Sequence, residues 1–191
     1  SDLTLFPTSE DRAAVDLLLR NRSRPFVALA PGSAWQTKRW PGYGRLGEIL
    51  AGEYDIAIVG GPGDLAAASE ITSRVDPERI VDATGKLSLL GSTELIRRSL
   101  AVATNDSSPQ HLASAVGTPT VTIFGPTVPE LGFGPLAAGS RTVGNHRLDC
   151  RPCDRHGRAV CPLGHWRCMS EITAEEVAEM VRTVIQEETA R

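Results

Sequence analysis

No stretch of about 18 consecutive apolar residues occurs in this chain and no leader opens it, so it offers neither a membrane-spanning helix nor an export signal. No block of Lys and Arg stands out. The net charge of −3 over 191 residues gives no sign of a nucleic-acid partner. Internal repeats and low-complexity tracts are absent. Two phosphate-binding signatures are missing as well. No loop reads G-x-G-x-x-G with an acid about 20 residues further on, which argues against a dinucleotide oxidoreductase. There is no Walker lysine motif. Gly60-Gly61-Pro62-Gly63 is rich in glycine, but its proline removes an N–H that a phosphate cradle would use.

What is present is ordinary for a globular protein: 41% hydrophobic and 23% charged residues. The length suits one domain, or one and a small appendage, with a sizeable core. The chain opens Ser1-Asp2-Leu3 without Met, as a piece of a longer protein would. Residues 1–24 read as a linker and a lead-in helix. Thr8 caps that helix, Glu10 and Asp11 fill its first turn, and Ala14, Leu17 and Leu18 form its expected apolar stripe. Residues 25–145 then alternate short buried strands (25–30, 54–59, 79–82, 100–103, 120–124 and 141–144) with amphipathic helices (43–53, 65–75, 89–99 and 108–117). That alternation predicts an α/β fold, a doubly wound parallel sheet with right-handed crossovers. Such sheets bind ligands at the carboxyl ends of their strands. Four polar loops fall there, at 31–41, 60–64, 83–87 and 105–109.

The richest stretch is 105–127, NDSSPQHLASAVGTPTVTIFGPT. It leaves the fourth strand, turns, and starts a helix with Ser107 or Ser108 as N-cap and Pro109 in the first turn. Leu112, Ala113 and Val116 give the helix its apolar face, and Gly117 ends it. A helix N-terminus at this edge offers free N–H groups and partial positive charge to an anion, and two serine hydroxyls add donors. Asp106 does not suit phosphate; a carboxylate in the same cleft suits sugar hydroxyls. The plainer reading is that Asp106 and the serines only cap the helix.

Three motifs together resemble glycosyltransferase family 9, the ADP-heptose:lipopolysaccharide heptosyltransferases. They are Pro31-Gly32-Ser33 with Lys38-Arg39-Trp40-Pro41, Gly60-Gly61, and 105–113 with Phe124-Gly125-Pro126-Thr127. The tail Cys161-Pro162-Leu163-Gly164-His165…Cys168-Met169 is similar to the heptosyltransferase II branch in particular. The resemblance implies one Rossmann-like domain, the carboxyl-terminal, donor-binding half of a GT-B fold. The amino-terminal domain, with the acceptor site and the family's base carboxylate, has no counterpart here, so this chain alone is expected to be inactive.

By position, the resemblance makes Ser33 a phosphate donor and Lys38 a catalytic charge near the pyrophosphate and sugar. Asp64 takes the ribose hydroxyls, Leu87 flanks the adenine, and Asp106 holds the sugar. Ser107 and Ser108 bind the diphosphate; the family has Gly where Ser108 stands, and a Cβ there narrows the approach of backbone to phosphate. His111 reaches back to the turn, and Thr127 is a further sugar or phosphate contact. Each has a plainer alternative: a solvated Lys38, Asp64 as N-cap of the next helix, Leu87 as core, a structural hydrogen bond from His111. Trp35, Trp40 and Phe133 read as packing, with Trp35 as a cover for the nucleotide the alternative. The resemblance further implies an ADP-heptose donor, a lipopolysaccharide core acceptor, no cofactor, no catalytic metal, and a cytoplasmic location peripheral to the inner membrane. Two other readings stand beside it: a stand-alone nucleotide-binding or interaction module, and a family 9 transferase using another sugar.

All four cysteines, Cys150, Cys153, Cys161 and Cys168, fall in one segment, 146–172, spaced C-x2-C-x7-C-x6-C. Three states fit: a structural zinc knot, disulfides, which a cytosolic setting disfavours, and free thiols. Residues 173–191 form the last helix. Thr173 and Glu176 suggest a capping box, and Val177, Met180, Val181 and Val184 an apolar stripe.

Overall fold

The computed structural model describes residues 3–190; Ser1, Asp2 and Arg191, the outer ends of the expected linker and last helix, lie outside the described residues. Six strands form one sheet, all pairs parallel: β1 (Phe26–Ala30), β2 (Asp55–Ile58), β3 (Ile80–Asp82), β4 (Val102–Asn105), β5 (Thr120–Ile123) and β6 (Arg141–Val143). Their order, β3-β2-β1-β4-β5-β6, reverses direction between β1 and β4, the topological switch point of a doubly wound sheet. Residues β1, β2, β4 and β5 contribute are buried throughout, as strands covered on both faces require.

The period-2 alternation of each strand sorts the core into two layers. Val27, Leu29, Ile56, Ile58, Ala103, Val121 and Ile123 point to one face. There they meet α2 (Tyr43–Leu50), α3 (Leu65–Thr72), α6 (Arg167–Ser170) and α7 (Ala174–Thr189). Ala28, Ala30, Ala57, Val81 and Val102 point to the other, under α1 (Ser9–Leu19), α4 (Leu89–Arg98) and α5 (Ser108–Val116). Alanines dominate the second layer, which lets α5 lie close to β4 and β5.

Local chemistry sets the helix ends. Thr8 and Asp11 close a full capping box on α1, while at α7 Thr173 Oγ1 accepts from Glu176 N–H (3.2 Å) without the reciprocal bond. Gly117 takes the left-handed conformation (φ 74°) that ends α5. The stripe of α1 differs from the expected one. Val15 is fully buried with Leu18 and Leu19 against it, whereas Leu17 is 62% exposed. This helix is apolar on more than one side, and its orientation follows from the capping box and from Asp16 reaching Arg98 on α4 (2.6 Å). The fourth strand lies two residues later than expected, because its ladder with β5 runs on to Asn105↔Ile123. That extension carries the edge of the sheet into the 105–109 turn.

Candidate functional site

The floor of the site is where β1 and β4 end side by side. Asn105, the last residue of β4, is completely buried. Its Nδ2 donates to the carbonyls of Pro31 (2.9 Å) and Gly32 (3.2 Å), and its Oδ1 accepts from Trp40 N–H (3.2 Å). One amide therefore pins both arms of the 31–41 loop to the 105–109 turn. Trp40 is locked in turn: its Nε1–H donates to Ile172 O (3.0 Å) and its ring packs edge-on against Tyr43.

Above this floor a crevice of about 410 Å³ opens across the switch point. Its size lies in the range of small-molecule sites, roughly 300–1,000 Å³. Ser33 and Arg39 enter it from the β1 loop, Gly60, Gly61 and Asp64 from the β2 loop, Leu87 and Ser92 from the β3 side, and Ser107, Ser108 and Pro109 from the start of α5. One wall is apolar, with Val59, Leu87, Leu89 and Leu112. The opposite end carries donors. Ser107 is the N-cap of α5, yet its hydroxyl does not cap; it donates to Gly32 O and Asn105 O (both 3.3 Å). Among the described residues α5 therefore starts without a side-chain cap; Pro109 has no N–H and Gln110 N–H donates to Ser107 O (3.2 Å), which leaves the Ser108 N–H as the first-turn donor beside the crevice.

Asp64 occupies the N-cap position of α3, but its carboxylate makes no cap bond there. It turns back to accept from Gly61 N–H (2.9 Å) and lies across Gly32, where an added Cβ would come within 2.4 Å of its carboxyl group. Glycine at 32 is thus what lets the β1 and β2 loops close on each other.

Lys38, Asp106 and Thr127 form a separate, buried group beside the crevice. Lys38 Nζ meets Asp106 Oδ2 at 2.5 Å and Asp106 O at 3.2 Å, and Thr127 Oγ1 donates to the same Oδ2 at 2.7 Å. The side chains of Lys38 and Asp106 are only 9% and 4% exposed, so their charges face each other in a dry setting. The cysteine-bearing segment roofs them. Thr37 and Arg158 exchange three hydrogen bonds of 2.7–3.1 Å, and Trp166 Nε1–H donates to Thr37 O (2.9 Å). Gly157 (φ 109°) presses on the stem of Lys38: a Cβ there would stand 3.2 Å from Lys38 Cε and 3.0 Å from Trp35 Cβ.

Arg151 ties the same segment to the far side of the group. Its guanidinium donates to the carbonyls of Phe124 (2.7 Å), Gly125, Thr127 (3.0 Å) and Asn145 (2.7 Å). It thereby holds the loop that carries Thr127 to Asp106. Burial lowers the pKa of this guanidinium from its usual value. The four cysteines are free thiols, and among the described residues no three His, Cys, Asp or Glu side chains gather as a metal site needs. Their environments differ. Burial pushes the Cys168 thiol up to about 11. Burial opposes ionisation at Cys161 too, but the backbone N–H groups of Trp166, Leu163, Gly164 and His165 hold its pKa below the usual thiol value.

Of the residues singled out in the sequence, Ser33, Asp64, Leu87, Ser107 and Ser108 line the crevice; Lys38, Asp106 and Thr127 share the buried group. His111 is half-buried on α5, outside the crevice lining, and its imidazole forms no hydrogen bond among the described residues, so neither the expected reach to the turn nor a structural side-chain bond is present. Trp35 is partly exposed beside the roof rather than in the crevice. Three residues carry more than the sequence suggested: Asn105, Arg39 and Arg151. The first two sit inside recognisable motifs, which is the one signal they gave. Nothing local marks Arg151.

Residues 4–165 match the family profile described as glycosyltransferase family 9 (heptosyltransferase). The lipooligosaccharide heptosyltransferase 2 of Haemophilus influenzae is 30% identical over 172 residues, covering 85% of this chain and 48% of that protein. The E. coli ADP-heptose LPS heptosyltransferase II structure is similar at a TM-score of 0.78 and 23% identity, covering 97% of this chain and 54% of that one. A family 9 glycosyl transferase from Veillonella parvula gives 0.80 at 22% identity, over 96% and 54%. The chain spans about half the length of the relatives it matches. Among the described residues no helix is long and apolar enough to cross a membrane.

Proposed function

This chain belongs to glycosyltransferase family 9, and we propose that it is the nucleotide-sugar-binding half of an inverting heptosyltransferase of lipopolysaccharide inner-core synthesis. The donor is ADP-L-glycero-D-manno-heptose, and the acceptor is the core oligosaccharide, met at the cytoplasmic face of the inner membrane. The observation that carries this reading is the pairing of one crevice with one buried group. The start of α5 and an apolar wall share the crevice, and the Lys38-paired Asp106 carboxylate lies beside Ser107 of its lining.

The adenine lies along Leu87 and the apolar wall, and its ribose hydroxyls meet Asp64. The diphosphate rests on Ser33, Ser107, Ser108 and the α5 N-terminus. The heptose extends toward Asp106, whose carboxylate Lys38 and Thr127 hold in one orientation. The acceptor hydroxyl attacks the anomeric carbon as the bond to the diphosphate oxygen breaks. The bonding pair leaves with ADP, and the hydroxyl proton passes to a base outside this chain. The domain's task is to bind, to orient, and to receive the negative charge that develops on the leaving diphosphate.

Calorimetry of the purified chain with ADP, ADP-heptose and a panel of other nucleotide sugars tests the reading. ADP-heptose is expected to bind at least as tightly as ADP and more tightly than donors with other bases. No binding of either ligand at millimolar concentration to a folded chain would sink it.

A further inference from the structure

We propose that Arg39, rather than Lys38, supplies the unmatched positive charge that meets the donor's diphosphate; the proposal rests on the nucleotide-sugar reading above. Lys38 and Arg39 are adjacent, and the 3₁₀ turn Gln36–Lys38 sends them in opposite directions. Lys38 goes inward under the 154–158 turn, where the Asp106 carboxylate at 2.5 Å matches its charge. Seen from the crevice, that pair is close to neutral.

Arg39 goes the other way and lines the crevice. Its Nε–H donates to Ser33 O (2.8 Å), which fixes the plane of the guanidinium. Its two terminal nitrogens have no hydrogen-bond partner and no carboxylate among the described residues. Among the described residues that line the crevice it is the one cation, and Asp64 the one anion. Ser33, Ser107 and Ser108 belong to the same lining. A half-buried guanidinium held by one edge, with its remaining donors free, suits a phosphate oxygen pair better than an ammonium does. The two basic neighbours thus divide the donor between them: Lys38 sets the sugar-facing carboxylate, and Arg39 takes the charge of the leaving group.

Titration of the purified chain with adenosine, AMP and ADP separates this from the general nucleotide reading. The intact chain is expected to prefer ADP to adenosine. Arg39→Gln should weaken ADP by about tenfold or more while changing adenosine by less than about twofold, as loss of a charged hydrogen bond to phosphate alone would. Arg39→Lys should recover part of the loss. An Arg39→Gln chain that is folded by circular dichroism and binds ADP within twofold of the intact chain overturns the assignment. If the variants do not fold, phenylglyoxal labelling of the intact chain decides: ADP must protect Arg39 from modification and adenosine must not. Equal labelling with and without ADP overturns the proposal. An intact chain that binds neither ADP nor adenosine overturns the nucleotide reading itself, and this assignment with it.

Discussion

Two buried aspartates, Asp55 and Asp106, stand at opposite edges of one sheet and are treated in opposite ways. Asp55 begins β2 at the amino edge, ringed by Arg79 (3.1 Å), Arg24 (3.6 Å) and Arg22 (3.9 Å). All three arginines keep part of their side chains in water and also bind carbonyls, such as Ala51 O and Glu53 O. Asp106 follows β4 at the carboxyl edge and, among the described residues, has a single cation, itself buried, plus one hydroxyl. The first arrangement is redundant and solvent-backed, a cross-link among connecting loops. The second is minimal and dry, so every partner matters and one carboxylate oxygen is left without a hydrogen bond among the described residues. The edge away from the crevice is richly supplied with positive charge around its aspartate, and the edge beside the crevice carries only what orients one group.

The sharpest way to break this contrast is to remove each carboxylate. Asp106→Ala leaves the Lys38 ammonium buried without a counter-charge, which is expected to destabilise the chain by about 3–5 kcal/mol. Adding Lys38→Met should restore much of that stability, a coupling that urea denaturation of the single and double variants would read directly. The double variant should still bind ADP but lose its preference for ADP-heptose over ADP. If single and double variants are equally unstable, the ion pair is not the dry contact described above.

The roof gives the next largest effect. Gly157→Ala forces a Cβ onto a backbone at φ 109° and to within 3.0 Å of Trp35 and 3.2 Å of Lys38. A loss of about 1–3 kcal/mol is expected from the strain, together with weaker ADP-heptose binding. Gly164→Ala is the control, because its φ of 71° is also left-handed but nothing lies within 4 Å of the added Cβ. Equal thermal shifts and unchanged binding for both variants would mean that the 154–158 turn does not press on Lys38.

At the amino edge, Asp55→Asn should cost only about 1 kcal/mol, since its arginines remain hydrated, and should leave both ligands' affinities unchanged. Any loss of ADP binding there would erase the distinction between the two edges.

How much of this contrast was visible beforehand differs between fold and site. Short apolar runs separated by Gly, Pro and polar loops locate the sheet and the edge that carries the crevice, because strands buried on both faces have little compositional freedom. The buried face of α1 is not legible in its sequence, because Ala13, Ala14, Val15, Leu17, Leu18 and Leu19 satisfy more than one helical face. At the site, the motifs brought the right loops together. They did not reveal which of Lys38 and Arg39 faces the crevice, since that is decided by the 154–158 turn, more than a hundred residues away in the chain. Arg151 was unreadable for the same reason: its partners are four carbonyls, and carbonyls leave no mark on a sequence.

A third carboxylate sharpens the comparison from the quiet side of the molecule. Glu94, on α4, is buried under a fork of Arg97 (2.7 Å) and Arg98 (2.7 Å), and Arg98 also reaches Asp16 on α1. The Arg97 hydrogen bond holds its carboxyl pKa below its ordinary value of 4.5, against the opposing effect of burial. A depressed folded-state pKa stabilises the chain at pH above 4.5, and that contribution is lost as pH falls through the folded value. Glu94→Gln should therefore be less stable than the intact chain at neutral pH, by under about 1 kcal/mol because Arg97 is half in water. The gap should close on acidification below pH 4.5. Nucleotide binding should not change at any pH, since α4 meets the crevice through Leu89 and Ser92 and not through this network. A gap that persists in acid would assign Glu94's worth to packing rather than charge. A parallel loss of ADP affinity would mean that the networks behind the sheet are coupled to the crevice.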